Sequence, residues 1–140
     1  MSSFKTVLKI MAAGAVLSGV AFAQSSMRVS VKIPYDFHVG SNRLPAGEYN
    51  LTADTGSQVL KVTSRDTRTG LVRMTLPQFS GVQGIPYAHV AFRVYGEQYY
   101  LASVWVPGAD GRSFQLSPAE REAAKANSRM TIALLRAEQR

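Results

Sequence analysis

Few residues in this chain could carry chemistry. His38 and His89 are its only histidines, and Asp36 lies two positions before His38, which places both on one side of an extended strand. Together with His89 they could ligate a metal. Two isolated histidines are more simply surface or half-buried rings, and no metal site is assigned. The chain has no cysteine, which removes thiolate ligands, cysteine nucleophiles and disulfides. It also lacks a Gly-x-Ser-x-Gly elbow, a P-loop and a dinucleotide fingerprint. No catalytic residue and no cofactor follows from these patterns, so the reading is non-enzymatic. Aromatic residues are the better lead, because Tyr87, Tyr95, Tyr99, Tyr100 and Trp105 crowd into one stretch. Such rings ordinarily fill a core. Exposed, they would stack on sugars or bases, and Phe79, Tyr87, Arg93 and Tyr100 are the candidate ligand-binding residues.

Asp54-Thr55-Gly56-Ser57 is the one stretch with a catalytic look. It resembles the signature of aspartic proteases, in which two carboxylates share one proton, and a chain this short would be one half of a dimeric enzyme. The surroundings argue against that reading. Thr52 and Ala53 stand where two bulky apolar residues belong, and no second cradle element or glycine-rich flap is evident. Asp and Gly between two strand patterns are ordinary turn residues. A dimeric enzyme acting through Asp54 is kept as an alternative.

The elements that would position these residues are mostly strands. Met27, Val29, Val31 and Ile33 alternate with Arg28, Ser30 and Lys32, the period of a strand with one buried face. Pro34 ends it or places it at an edge, because proline cannot donate to the ladder, and Tyr35 to Val39 continue after a kink. Gly40 to Gly47 reads as a turn. Further strands carry Tyr49, Leu51 and Ala53, then Leu60 and Val62, then Val72, Met74 and Leu76. Pro77 to Pro86 is irregular yet holds Phe79, Val82 and Ile85, which either fold over the core or face a partner.

Tyr87 to Val106 forms a hairpin with Gly96-Glu97 as a type II′ turn. That turn aligns Tyr95 with Gln98, Val94 with Tyr99, Phe92 with Leu101, Val90 with Ser103 and Ala88 with Trp105 as the core face. On the other face Arg93 meets Tyr100 in a stacked pair, His89 meets Val104 and Tyr87 meets Val106. Ser117-Pro118-Ala119-Glu120 then starts a helix, with serine as the cap and the glutamate reaching back to an orphan N–H. The helix runs over about 117–126. From 129 to 136, Met130, Ile132 and Leu134 alternate with Thr131 and Ala133 as a last strand, with continued helix to Arg136 as the alternative. Short strands with turns every 8 to 12 residues predict a mainly β fold. The expected architecture is an antiparallel sandwich or small barrel of about 7 strands, with one short helix in the C-terminal region.

Residues 1–23 read as an export leader. Lys5 and Lys9 form a positive head, Ile10 to Val20 an apolar run, and Ala21-Phe22-Ala23 a small-x-small cleavage site. The run has 11 residues, short of the roughly 20 needed to span a bilayer. Cleavage after Ala23 leaves residues 24–140 as a single β-rich domain with no integral membrane segment. Loss of Lys5 and Lys9 lowers the formal charge from +7 to +5. Scattered basic residues of this kind favour solubility and loose association with acidic surfaces, not a nucleic-acid stripe.

Two stretches resemble an uncharacterised family of small exported β-rich proteins of soil bacteria. The first is Ile33-Pro34-Tyr35-Asp36-Phe37-His38-Val39-Gly40, continuing into Leu44-Pro45-Ala46-Gly47-Glu48-Tyr49. The second is Arg93-Val94-Tyr95-Gly96-Glu97-Gln98-Tyr99-Tyr100-Leu101 with Trp105-Val106-Pro107-Gly108. The resemblance implies export and a compact β fold, and it transfers no catalytic residue. The expectation is therefore an exported domain, periplasmic or extracellular, with a binding or structural role toward an envelope glycan or protein. A barrel carrying a small hydrophobic ligand is the third alternative, and it requires an open apolar interior.

Overall fold

From Met27 onward, β-branched and aromatic residues alternate with polar ones, and these stretches become strands packed face to face. The computed structural model describes residues 27–54, 56–127 and 129–140; the leader expected over 1–23 lies outside them. The fold is mainly β with one helix among the described residues. In chain order the strands open with β1 (Met27–Ile33), β2 (Phe37–Val39), β3 (Asn42–Leu44), β4 (Gly47–Ala53), β5 (Val59–Ser64), β6 (Gly70–Met74) and β7 (Leu76–Gln78). Then follow β8 (His89–Tyr95), β9 (Gln98–Val106), β10 (Ala109–Ser113), α1 (Pro118–Ala126), β11 (Met130–Arg136) and β12 (Glu138–Gln139).

One sheet has the order β12-β1-β4-β5-β6, the other β11-β8-β9-β10-β7. Two continuous strands pass from sheet to sheet. β6 becomes β7 through buried Thr75, whose backbone N–H and hydroxyl both donate to the Gln58 carbonyl at 2.7 and 2.8 Å. β11 becomes β12 through buried Ala137, whose N–H donates to Ala88 at 2.9 Å. The two curled sheets are therefore linked along both margins, as in a flattened barrel. Phe37, Tyr49, Leu51, Leu60, Phe92 and Val104 fill the space between them, each with essentially no exposure. Full burial of a side chain of this size contributes about 1.5–3 kcal/mol.

The β8–β9 hairpin turns at Gly96, whose φ of +62° is the value a type II′ turn requires at its first central position. The pairs Tyr95–Gln98, Val94–Tyr99, Arg93–Tyr100 and Phe92–Leu101 follow the expected register. Beyond them the register shifts, so Ala91 meets Ser103, Val90 meets Val104 and His89 meets Trp105. The expected pairings Val90–Ser103, Ala88–Trp105, His89–Val104 and Tyr87–Val106 are corrected accordingly. The cause is one extra β9 residue at Ala102, which changes the parity of the strand so that Leu101 and Val104 both face the core.

Residues 130–136 form a strand, but its facing is the reverse of what alternation suggests. Ala133 and Leu135 pack on the core, whereas Met130, Ile132 and Leu134 are 47%, 51% and 39% exposed. Pairing with β8 decides this. Ala133 lies opposite Phe92 and Leu135 opposite Val90, both inward, and directly opposed residues share a face. The Gly40–Gly47 turn is likewise more ordered than expected, because Asn42–Leu44 pairs with Phe37–Val39 as a small hairpin.

Candidate functional site

The outer surface of the β8–β9 sheet is covered at its two ends by different elements. Helix α1 lies over one end and is held by a buried ion pair. Ser117 caps it as expected, its hydroxyl accepting the Glu120 N–H at 3.1 Å. The Glu120 carboxylate does not reach back to the cap. It accepts Arg93 Nε at 2.5 Å, Arg93 Nη2 at 3.0 Å and the Tyr95 hydroxyl at 2.8 Å. Arg93 is thereby drawn away from the stacked pair expected with Tyr100. The Tyr100 ring is buried and stacks on His38 instead, with centroids 4.5 Å apart and planes 15° apart.

The 79–87 loop covers the other end. His89 is fully buried there, its Nδ1 paired with the Tyr87 carbonyl at 3.0 Å and its Nε2 accepting the Val82 N–H at 3.2 Å. These partners place the ring proton on Nδ1. Phe79 remains 81% exposed, and Tyr87 lies under the Arg136 guanidinium, 4.6 Å from its carbon. The four candidate binding residues are thus not brought together. Arg93 and Tyr100 lie beneath the helix. Tyr87 is six strand positions from Arg93, about 20 Å along an extended chain.

The structure instead assembles a cleft of about 590 Å³ beside the turn of the β8–β9 hairpin. Tyr35 and Asp36 enter it from the link between β1 and β2, His38 from β2 and Arg43 from β3, while Glu97, Gln98 and Tyr99 come from the hairpin turn. A single parallel bridge, His38 to Tyr100, joins the two parts. Tyr35 stacks on Tyr99 with centroids 3.7 Å apart and sets its edge against Phe92 at 5.3 Å. Asp36 accepts the Ala46 N–H at 3.0 Å and Arg43 Nη2 at 3.2 Å, which fixes the β2–β3 hairpin against the preceding link. Asn127, at the end of α1, closes the cleft and donates its amide to the Ala123 carbonyl at 3.2 Å.

Two buried polar atoms here have no hydrogen-bond partner among the described residues, the Tyr35 hydroxyl and His38 Nδ1. Leaving such groups unpaired is unfavourable by roughly 1–3 kcal/mol each. Burial, with Tyr99 adding to it, pushes the Tyr35 phenol up to about 12. Burial and the nearby Arg43 guanidinium lower the His38 imidazole, so it is neutral at pH 7. The phenols of Tyr95 and Tyr100 are raised by burial first and by Glu120 second. Among the described residues no three of His, Asp and Glu gather where a metal could sit. The wall of the cleft therefore consists of aromatic rings interleaved with planar carboxylate, amide and guanidinium groups. Such a surface is suited to stacking and directed hydrogen bonding.

Tyr35 does not stand out by residue type and His38 does so only as one of two histidines, but both lie inside the first of the two recognisable stretches, and Tyr95 to Tyr99 lie inside the second. That coincidence was the available signal. Asp54 lies elsewhere, exposed where β4 ends, with its carbonyl accepting the Ser57 N–H at 3.1 Å and Arg112 Nη2 at 3.3 Å. No family model matches the chain, and no curated protein or solved structure is significantly similar to it.

Proposed function

We propose that this chain is an exported, non-enzymatic β-domain that binds a hydroxyl-rich ligand, an envelope glycan, in the cleft between the β2–β3 hairpin and the β8–β9 turn. The reading is carried by one observation: the two sequence signatures, some 60 positions apart, meet at this cleft and supply its rings and most of its polar groups, with Arg43 and Asn127 added from outside them. Tyrosine faces suit the apolar side of a sugar ring. Asp36, Glu97 and Gln98 offer the paired donors and acceptors that hydroxyl groups need. The leader pattern of residues 1–23 supports delivery to the periplasm or beyond. Asp54 stands alone at an exposed turn and lends no support to a shared-proton mechanism. The tightly filled interior lends none to carriage of a hydrophobic passenger.

The test is titration calorimetry of the exported protein against oligosaccharides released from the envelope, preceded by a glycan array. Tyr99→Ala and Arg43→Ala are expected to weaken binding about tenfold each, equivalent to ~1.4 kcal/mol, while Phe79→Ala leaves it unchanged. Loss of binding in Phe79→Ala alone would move the site to the opposite end of the hairpin. Silence on the array and in calorimetry would leave a structural role. Intact mass of the exported chain tests the leader, with Gln24 expected as the first residue.

A further inference from the structure

The cleft does not end at Asn127. A second cavity of about 430 Å³ adjoins it, lined by Val94, Ala126, Arg129 and Thr131 and sharing Gly96 and Asn127 with the first. Each cavity falls within the roughly 300–1,000 Å³ of ordinary small-molecule sites. The boundary between them is slight, because Gly96 contributes backbone alone and Asn127 is tied back to the Ala123 carbonyl. A Cβ on Gly96 would lie 3.2 Å from the Asn127 amide oxygen, so a larger residue would crowd this saddle. Val94 pairs with Tyr99 on one side and with Thr131 on the other. These two residues, one in each cavity, are therefore two strand spacings apart, about 10 Å.

The two cavities differ in charge. In the first, Arg43 is already paired with Asp36 at 3.2 Å, and Glu97 adds a second carboxylate. In the second, Arg129 is the one charged residue on the wall, and no carboxylate among the described residues lies within ion-pairing reach of it. The C-terminal end of α1 beside it carries about half a negative charge, which the full guanidinium charge outweighs. We propose that the two cavities form one elongated site for an acidic oligosaccharide, with a neutral sugar unit at Tyr99 and a carboxylate-bearing unit at Arg129. The proposal rests on the reading of the first cavity as a glycan cleft, and it adds the charge and the length of the ligand. A carboxylate is repelled by Asp36 and Glu97 and drawn to Arg129, whose planar fork can hold both of its oxygens. The Thr131 hydroxyl offers a donor and an acceptor to a neighbouring sugar hydroxyl. A single sugar ring cannot reach both Tyr99 and Arg129, whereas a chain laid over the Gly96 saddle can.

Calorimetry of the exported protein with three defined sugars tests this: a tetrasaccharide alternating N-acetylglucosamine with glucuronate, its carboxyl-reduced form, and the neutral disaccharide N,N′-diacetylchitobiose. The acidic tetrasaccharide is expected to bind about tenfold tighter than its reduced form, a gap that rising salt narrows. Arg129→Gln should close that gap and leave the affinity for the reduced form as it was. Thr131→Tyr, whose larger side chain fills the second cavity, should bring both tetrasaccharides down to the affinity of the disaccharide and leave the disaccharide unaffected. Both positions are exposed, so the circular dichroism spectrum should not change in either variant. Equal binding of the acidic and reduced forms, with no response to Arg129→Gln, would overturn the proposal and leave the glycan cleft standing. Absence of heat with all three sugars and with the oligosaccharides released from the envelope would overturn the cleft reading and the proposal together.

Discussion

The Glu120 carboxylate, one turn into the helix, is fastened to the Arg93 guanidinium on β8 at 2.5 and 3.0 Å, with both side chains largely shielded from water. The pair ties helix α1 to the sheet and leaves Arg93 Nη2 to serve the Phe114 carbonyl at 3.1 Å as well. A charge removed from water must keep its partner, because an isolated buried ion is strongly unfavourable. Glu120→Ala is therefore expected to lower stability by about 3–5 kcal/mol, read from urea unfolding followed by circular dichroism. Glu120→Gln, which retains an acceptor, should be milder. Replacing both partners with apolar residues of similar volume, Arg93→Met with Glu120→Leu, should restore much of the loss. If the two single changes proved additive, the pair would not be coupled.

The apolar 79–87 loop is fastened by contact with rings. Gly81 sits so close to His89 and Trp105 that an added Cβ would lie 2.6 Å from one ring and 2.7 Å from the other. Gly81→Ala must therefore push the loop off the sheet or displace the rings, a change costing about 1–3 kcal/mol. Limited proteolysis should show faster cleavage within 77–86 than in the unaltered chain, with the rest of the domain resistant. Phe79, already exposed, should tolerate alanine without a measurable change in the unfolding midpoint.

What could be read from the residues and what could not divides along sequence distance. The Ser117-Pro118-Glu120 start and the Gly96 turn are local signals, and both lie where spacing places them. The bulge at Ala102 was invisible because no glycine or proline marks it; only the parity of buried residues on both sides reveals it. The facing of β11 depends on its partner strand, which alternation alone does not name. The cleft needs His38 beside Tyr100, a parallel contact across 62 positions that no local rule supplies. Glu120 shows the converse failure. Its position fits a capping box, but a buried arginine competes better for the carboxylate than a single backbone N–H does.

Alkaline behaviour should report on the cleft. The Tyr35 phenol has its ordinary value of 10.0 in the unfolded chain and about 12 in the folded one. Its neutral form is thus favoured by folding. The contribution is complete below pH 10 and is lost as pH rises toward 12. Ultraviolet titration of tyrosinate should show a late phase near the upper value, and Tyr35→Phe should remove it. An unchanged late phase in Tyr35→Phe would assign that phase to another phenol, with Tyr95 and Tyr100 also raised by burial.

Acid behaviour should report on the same cleft from its other wall. His38 is held neutral by burial and, secondarily, by Arg43, so its folded value lies below the ordinary 6.5. Protonation is then easier in the unfolded chain. The stability this group contributes is whole above pH 6.5 and falls as pH drops from there toward the lower folded value. Urea midpoints measured across that window should decline in the unaltered chain and decline less in His38→Gln, whose amide does not titrate. Nuclear magnetic resonance of the His38 ring provides the independent reading. Titration of that ring at or above 6.5 would mean that the imidazole is neither desolvated nor opposed by Arg43, and the stack on Tyr100 would then have to be open to water.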